Sequence, residues 1–301
     1  MSATAPLAPI EPAFAEAASF VEATLEMLLP KPGGPELRLM EAMRYAALGG
    51  GRRLRAFFVL QSGRLFGVDR RALGRVAAAV ECLHAYSLVH DDLPGMDDDD
   101  MRRGKPSLHK AFDEATAILA GDALLTLAFG LIASPEAHGD PFIRCELMSR
   151  FALAAGHNGM VGGHMMEISL GGRDPALAEI TRLARMKTAA LFTFACEAGA
   201  IMGRASATAR QAVTAYGQEL GLAYQIANDL FGLDGEVVDS RKDARKDATH
   251  GKAKLALFLG LERARAQAQA MAAQATAHLD LFDEKADLLR EAARFVVAGM
   301  A

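Results

Sequence analysis

Residues 76–103 read VAAAVECLHAYSLVHDDLPGMDDDDMRR, an apolar run that breaks into six aspartates within ten residues and closes on two arginines. From Val76 to Val89 exposed-type residues are too few for a surface helix, so the segment reads as a helix buried on most of its circumference. An isolated acidic run is ordinarily a solvated loop. This one hangs from the end of a core helix. Asp91, Asp92, Asp97, Asp98, Asp99 and Asp100 repel one another when ionised, and a fold that gathers them must recruit cations or shift their protonation. Hard carboxylate oxygens suit Mg²⁺, which completes its shell with water and a substrate's phosphates. Arg102 and Arg103 add forked donors for the same phosphate oxygens.

The rest of the chain agrees with a helical reading. Its 301 residues are 51% hydrophobic, contain no Trp, and repeat apolar positions at spacings of three and four rather than alternately. The expected fold class is all-α. A net charge of −4 gives no general attraction to nucleic acid or anionic lipid, so phosphate binding must be local. Cys82, Cys145 and Cys196 each lie in an apolar helical segment and read as reduced core thiols. The N-terminus shows no signal-peptide pattern, which makes a cytoplasmic location the default. The segment Ala115 to Ser134 is long enough to span a bilayer, but with Asp122 inside it and no basic flanks it reads as a central helix wrapped by others.

Along the chain, residues 1–11 read as a loose arm and 12–301 as one domain. The first helix is expected from Glu16 to Leu29, stopped by Pro30, and a second from Glu36 to the triplet Gly49-Gly50-Gly51. Further helices are expected over about 54–66, 70–92, 115–134, 141–155, 157–170, 175–203, 207–234, 252–277 and 280–299. Gly171-Gly172 and the charged stretch Asp239 to His250 are the clearest breaks. His84, Ser87 and Asp91 are spaced three and four apart and share a helix face. Gly49 to Arg55, GGGRRLR, sets three arginines after flexible backbone, a cradle suited to a phosphate. Arginine clusters alone are commonly surface solubilisers; pairing with the aspartates changes that reading.

The ordered set GGGRRLR, ECLHAYSLVHDDLPGMDDDDMRRGKPSLH, GDALLTLAF and the pair Lys187-Thr188 resembles the trans-isoprenyl diphosphate synthases, in particular the bacterial farnesyl diphosphate synthases, from about Ala13 to the C-terminal helix. The resemblance implies a single-domain bundle of about ten helices around a deep cavity, usually as a homodimer, with aspartate motifs on two facing helices. It implies Mg²⁺, as two or three ions, held by Asp91 and Asp97 against an allylic diphosphate that Arg102 grips. Arg52, Arg55, His84 and Arg103 match the isopentenyl diphosphate site. Lys187, Thr188, Gln225 and Lys242 match further contacts to the allylic diphosphate, and Lys252 matches a C-terminal basic motif. The implied reaction condenses dimethylallyl or geranyl diphosphate with isopentenyl diphosphate and releases pyrophosphate, which serves as the base for the last proton loss.

The chain departs from that pattern at the second aspartate motif, where Asn228 replaces the leading aspartate and Gly232 the closing one. Asn228 still offers a neutral oxygen as a metal ligand, but a lost carboxylate weakens Mg²⁺ binding. Asn228, Gly232 and Glu236 also resemble the metal site of class I terpene cyclases. A cyclase-like lyase, or a weakly active regulatory homologue, are therefore the alternatives to a synthase. Arg52 stands for the usual lysine, Ala56 for the usual proline, and His164 and Glu167 for the family's Gln and Asp. His164 reads either as a replacement for an amide hydrogen bond or as a source of pH sensitivity. Tyr86, five residues before Asp91, resembles the aromatic floor that stops chain growth at the farnesyl length; a geranylgeranyl product stays open.

Overall fold

The computed structural model describes residues 10–171, 173, 175–238 and 255–298, with backbone alone over 232–238. The elements that build the interior are α1 (Ile10–Leu28), α2 (Leu37–Ala47), α3 (Leu54–Leu65) and α4 (Arg70–Asp91). A two-residue antiparallel ladder follows, β1 (Met101–Arg102) with β2 (Lys105–Pro106), and then the short α5 (Leu108–Ala111). Next come α6 (Glu114–Ala133), α7 (Pro141–Ala155), α8 (Met160–Leu170), α9 (Leu177–Ala184), α10 (Ala190–Met202) and α11 (Ala207–Val238). The described chain closes with α12 (Leu255–Leu259), α13 (Leu261–Ala277) and α14 (Asp287–Ala298). The architecture is a helical bundle, as the periodicity predicts.

Helices α3, α4 and α10 form its centre, with α10 packed against α3 and α11, and α4 against α3 and α6. Their residues explain the placement. On α3, Ala56, Phe57, Phe58 and Val59 are fully buried, four successive residues that cover the whole circumference, so this turn lies inside the protein. Phe58 meets Phe192 of α10 with ring centroids 5.7 Å apart and Phe57 edge-on at 5.4 Å. Close approach of α3 and α10 depends on Gly199, where a Cβ would sit 2.2 Å from the Gly63 backbone nitrogen. Helix α4 begins where Asp69 accepts hydrogen bonds from the Arg71 and Ala72 amides at 2.9 and 3.1 Å, and it delivers Asp91 at its last turn.

Several expectations need correction. The first helix starts at Ile10 rather than Glu16, because buried Ile10 and Phe14 belong to the core; of the expected arm, residues 1–9 lie outside the described residues. The helix expected over 175–203 is interrupted by a π-turn, Arg185–Ala189. The helix expected over 252–277 breaks at Gly260, whose φ is +79°. The break expected at Asp239 to His250 lies outside the described residues.

Cys82 and Cys196 are buried free thiols, with Cys82 pushed up to about 12 by burial, but Cys145 is exposed on α7. Helix α6 is wrapped on one side only. Both α4 and α6 are long and apolar enough to cross a membrane; the apolar window of α4 is 72% buried within the protein, that of α6 only 39%. Leu119 and Ile118 lie on the open face of α6, 58% and 44% exposed. Hydropathy alone cannot separate a helix that is covered all round from one that keeps an apolar outer face.

Candidate active site

The acidic segment folds back on the end of α4. Asp97 donates its amide to the Asp91 carbonyl at 2.8 Å and Asp98 donates to the Leu93 carbonyl at 3.1 Å, a turn permitted by Pro94-Gly95. Asp91 and Asp97 are thus neighbours, and Asp91 is buried rather than pointing into bulk water. From α8, His164 Nδ1 lies 3.0 Å from Asp91 Oδ1. Asp92 is the deepest of the six, 2% exposed, and Arg102 Nε donates to both its oxygens at 3.0 and 3.2 Å. Burial, with Asp99 and Asp91 adding, pushes the Asp92 carboxyl above its ordinary range against the pull of Arg102. Arg102 also reaches Asp99 at 3.3 Å. Its guanidinium therefore stands over the aspartates, held by one and adjacent to another.

Across from it the basic segment lines a cavity of about 450 Å³ together with Asn228, Tyr224 and Phe231 of α11. Arg52, Arg55, His84 and Arg103 all face this cavity. Arg103 donates to the Gly50 carbonyl, and a Cβ on Gly51 would lie 2.8 Å from the Arg103 guanidinium carbon at a φ of +115°, so only glycine lets the arginine pass. Arg55 lies 4.9 Å over the Phe192 ring and 3.4 Å from His84 Nε2. Burial first, then Arg55 and Arg103, hold the His84 imidazole well below its ordinary range, so it is neutral at pH 7. Arg53 lines the same cavity, but its guanidinium is already engaged. It is 5% exposed and its guanidinium is taken up by Glu22 at 2.5 Å and Glu81 at 3.1 Å. Glu81 and Glu22 are structural partners the sequence did not flag.

Lys187 and Thr188 sit in the π-turn, a local irregularity of the kind common at functional sites. Lys187 pairs with Glu167, and Thr188 Oγ1 donates to Gln225 Oε1 at 2.6 Å. Gln225 in turn donates to Asp229 at 2.7 Å, and this buried carboxylate also accepts from the Ala256 amide at 3.3 Å. Asp229 thus ties α11 to α12 rather than facing the cavity. Tyr86 packs edge-on against His90, centroids 4.9 Å apart, and burial raises its phenol above the ordinary range. Lys242, Lys252 and the Glu236 side chain lie outside the described residues, and Gly232 is described by its helical backbone alone.

The donor set fits Mg²⁺. Asp91, Asp97 and Asn228 all carry hard oxygens of the kind Mg²⁺ takes; the Asp97 amide bond to the Asp91 carbonyl keeps the two aspartates together along the backbone, and Asn228 lines the cavity with the arginines. A further group able to hold a metal, Asp98, Asp100 and His109, has ligand atoms within 4.8 Å of one another.

Residues 36–291 match the polyprenyl synthetase family. The chain belongs to that family. This polyprenyl synthetase is 43% identical over 230 residues to the farnesyl diphosphate synthase of Escherichia coli (strain K12), covering 75% of this chain and 76% of the relative. It is 38% identical over 260 residues to the farnesyl diphosphate synthase of Geobacillus stearothermophilus, covering 86% and 87%. Among solved structures, an FPP/GFPP synthase from Zymomonas mobilis in its apo form superposes with a TM-score of 0.87 at 46% identity, covering 96% of this chain and 98% of that one. The enzyme is a prenyltransferase of the farnesyl diphosphate synthase type.

Proposed function

We propose that this enzyme is a Mg²⁺-dependent farnesyl diphosphate synthase that joins dimethylallyl or geranyl diphosphate to isopentenyl diphosphate and works as a cytoplasmic homodimer. The observation that carries the reading is the single cavity that Arg52, Arg55, His84 and Arg103 share with Asn228. A diphosphate needs several fixed cationic donors in one place, and a cyclase acting on one diphosphate has no use for this second basic pocket. Bound by Asp91, Asp97 and Asn228, two or three Mg²⁺ ions would supply charge neutralisation for a departing pyrophosphate.

The protein's own groups do the rest. Arg52, Arg55 and Arg103 seat isopentenyl diphosphate, with neutral His84 donating or accepting a hydrogen bond without adding charge. Arg102, Lys187 and Thr188, with Lys242 and Lys252, seat the allylic diphosphate; Gln225 fixes the Thr188 hydroxyl. As the allylic carbon–oxygen bond breaks, negative charge grows on the leaving group, the charge that cationic donors in this role neutralise. The isopentenyl double bond then attacks the allylic carbon, and the departed pyrophosphate takes the proton that restores the new double bond. Tyr86 sets the product length from below.

The test is product analysis with radiolabelled isopentenyl diphosphate and each allylic starter. Elongation to the farnesyl length that requires both substrates supports the reading. Turnover of a lone prenyl diphosphate to cyclic hydrocarbon would replace it with the lyase, and products of geranylgeranyl length would reject the role given to Tyr86.

A further inference from the structure

The imidazole of His109 poses a problem that the reaction does not solve. It is 7% exposed, on α5, and neither ring nitrogen has a hydrogen-bond partner. Buried polar atoms without a partner are rare in a folded protein and signal a missing water or ion. The ring faces two carboxylates, and the ligand atoms of Asp98, Asp100 and His109 lie within 4.8 Å of one another. Asp98 and Asp100 are exposed and make other contacts, among them Lys110 Nζ to Asp100 Oδ1 at 3.1 Å. Each carboxylate has two oxygens, and exposed side chains can turn the small distance needed to converge on an ion.

We propose that Asp98, Asp100 and His109 form a second divalent-cation site, distinct from the Asp91–Asp97 pair, that takes a first-row transition cation such as Co²⁺ or Zn²⁺ and locks the loop that carries Arg102 and Arg103. The donor set argues for this class of ion. Imidazole suits Zn²⁺ and its neighbours, whereas Mg²⁺ prefers oxygens and keeps its water. The exposed carboxylates leave the remaining positions to water. The place in the chain argues for the role. Asp98 and Asp100 lie before the β1–β2 ladder and His109 after it, so an ion between them closes the loop across Arg102 and Arg103. Ser107 already stitches the same closure, its amide donating to the Asp100 carbonyl at 2.9 Å and its hydroxyl to the Asp99 carbonyl at 2.5 Å. The proposal does not depend on the chemistry assigned to Asp91 and Asp97.

The full chain, stripped of metal by chelator and dialysis, is titrated with Co²⁺ and with Zn²⁺ in excess Mg²⁺, following visible absorption, calorimetry and amide exchange over 98–110. Wild type is expected to bind a Mg²⁺-resistant equivalent that slows exchange in the loop. H109Q should bind that equivalent about tenfold more weakly or worse, and D91N/D97N should keep it. Should H109Q fail to fold, D98N/D100N, altered only at exposed positions, must show the same loss. Equal binding and protection in wild type, H109Q and D98N/D100N would overturn the site, as would loss of the equivalent in D91N/D97N. Failure of either kind leaves the prenyltransferase reading standing, because that is decided by product analysis.

Discussion

At the scale of single residues, His84 ties stability to pH. Its folded imidazole titrates below the ordinary 6.5 because burial and then Arg55 and Arg103 oppose the charge. Above that value both states are neutral. As pH falls through it the unfolded chain takes up a proton that the folded chain refuses, so stability is lost on the acid side until the folded value is passed. The slope for one such proton is at most about 1.4 kcal/mol per pH unit. Urea midpoints from pH 7.5 to 5 should therefore fall more steeply for wild type than for H84Q, and parallel curves would remove His84 from the account. Asp91 makes the matching prediction for catalysis. It is the buried carboxylate at the end of α4, with His164 Nδ1 at 3.0 Å, and Asp91→Ala deletes the carboxylate proposed to hold Mg²⁺ while keeping a good helix former in the last turn. Single-turnover ionisation of the allylic substrate should slow by roughly a hundred- to a thousandfold, the size associated with losing one electrostatic stabiliser. An unaltered rate at saturating Mg²⁺ would mean the diphosphate is held elsewhere.

At the scale of elements, the join between α1, α3 and α4 adds a buried charge cluster to apolar contact such as Phe14 against Phe57, ring centroids 4.5 Å apart. Arg53 precedes α3, Glu22 comes from α1 and Glu81 from α4, and the Arg53 and Glu81 side chains are only 2% and 3% exposed. Among the described residues, Arg53→Met leaves Glu81 buried beside one remaining donor, the Ala56 amide at 3.2 Å. Breaking one side of such a pair costs about 3–5 kcal/mol, while replacing both partners by apolar residues restores much of it. Chemical denaturation of R53M and R53M/E81L should show that order; an R53M loss below about 1 kcal/mol would class the cluster as a surface bridge. This cluster marks a boundary of what the sequence discloses. The helices of the bundle are legible in apolar spacing and caps, and the meeting of Arg52, Arg55, His84 and Arg103 is legible through the family resemblance. Arg53 is indistinguishable from its neighbours in GGGRRLR, because which arginine turns inward depends on the left-handed φ of +50° at that position and on Glu22 and Glu81, distant in the chain. The π-turn that sets Thr188 against Gln225 and Lys187 against Glu167 is equally silent, since no residue type in Arg185–Ala189 marks the point where the extra residue enters the helix.

At the scale of the molecule, the open face of α6 needs an explanation that one copy of the chain does not supply. Leu119 and Ile118 at 58% and 44% exposed present apolar surface to water on a helix whose other side packs on α4. Asp122 is 60% exposed on the same stretch, an awkward group to place in lipid but an acceptable one at the rim of a protein interface. A second copy related by two-fold symmetry would cover the face with itself, so that one substitution enters the interface twice. Leu119→Arg then sets two like charges against each other where apolar area was buried, without touching the cavity or the acidic loop. Wild type should sediment at twice the chain mass and L119R at the chain mass, with far-UV circular dichroism unchanged. Because Asp91, Arg102 and the basic pocket all come from one chain, the monomeric variant should still bind isopentenyl diphosphate, a point that calorimetry with the isolated ligand decides. A wild-type chain that sediments as a monomer, or that floats with lipid vesicles while L119R does not, would assign the face to water or to membrane instead.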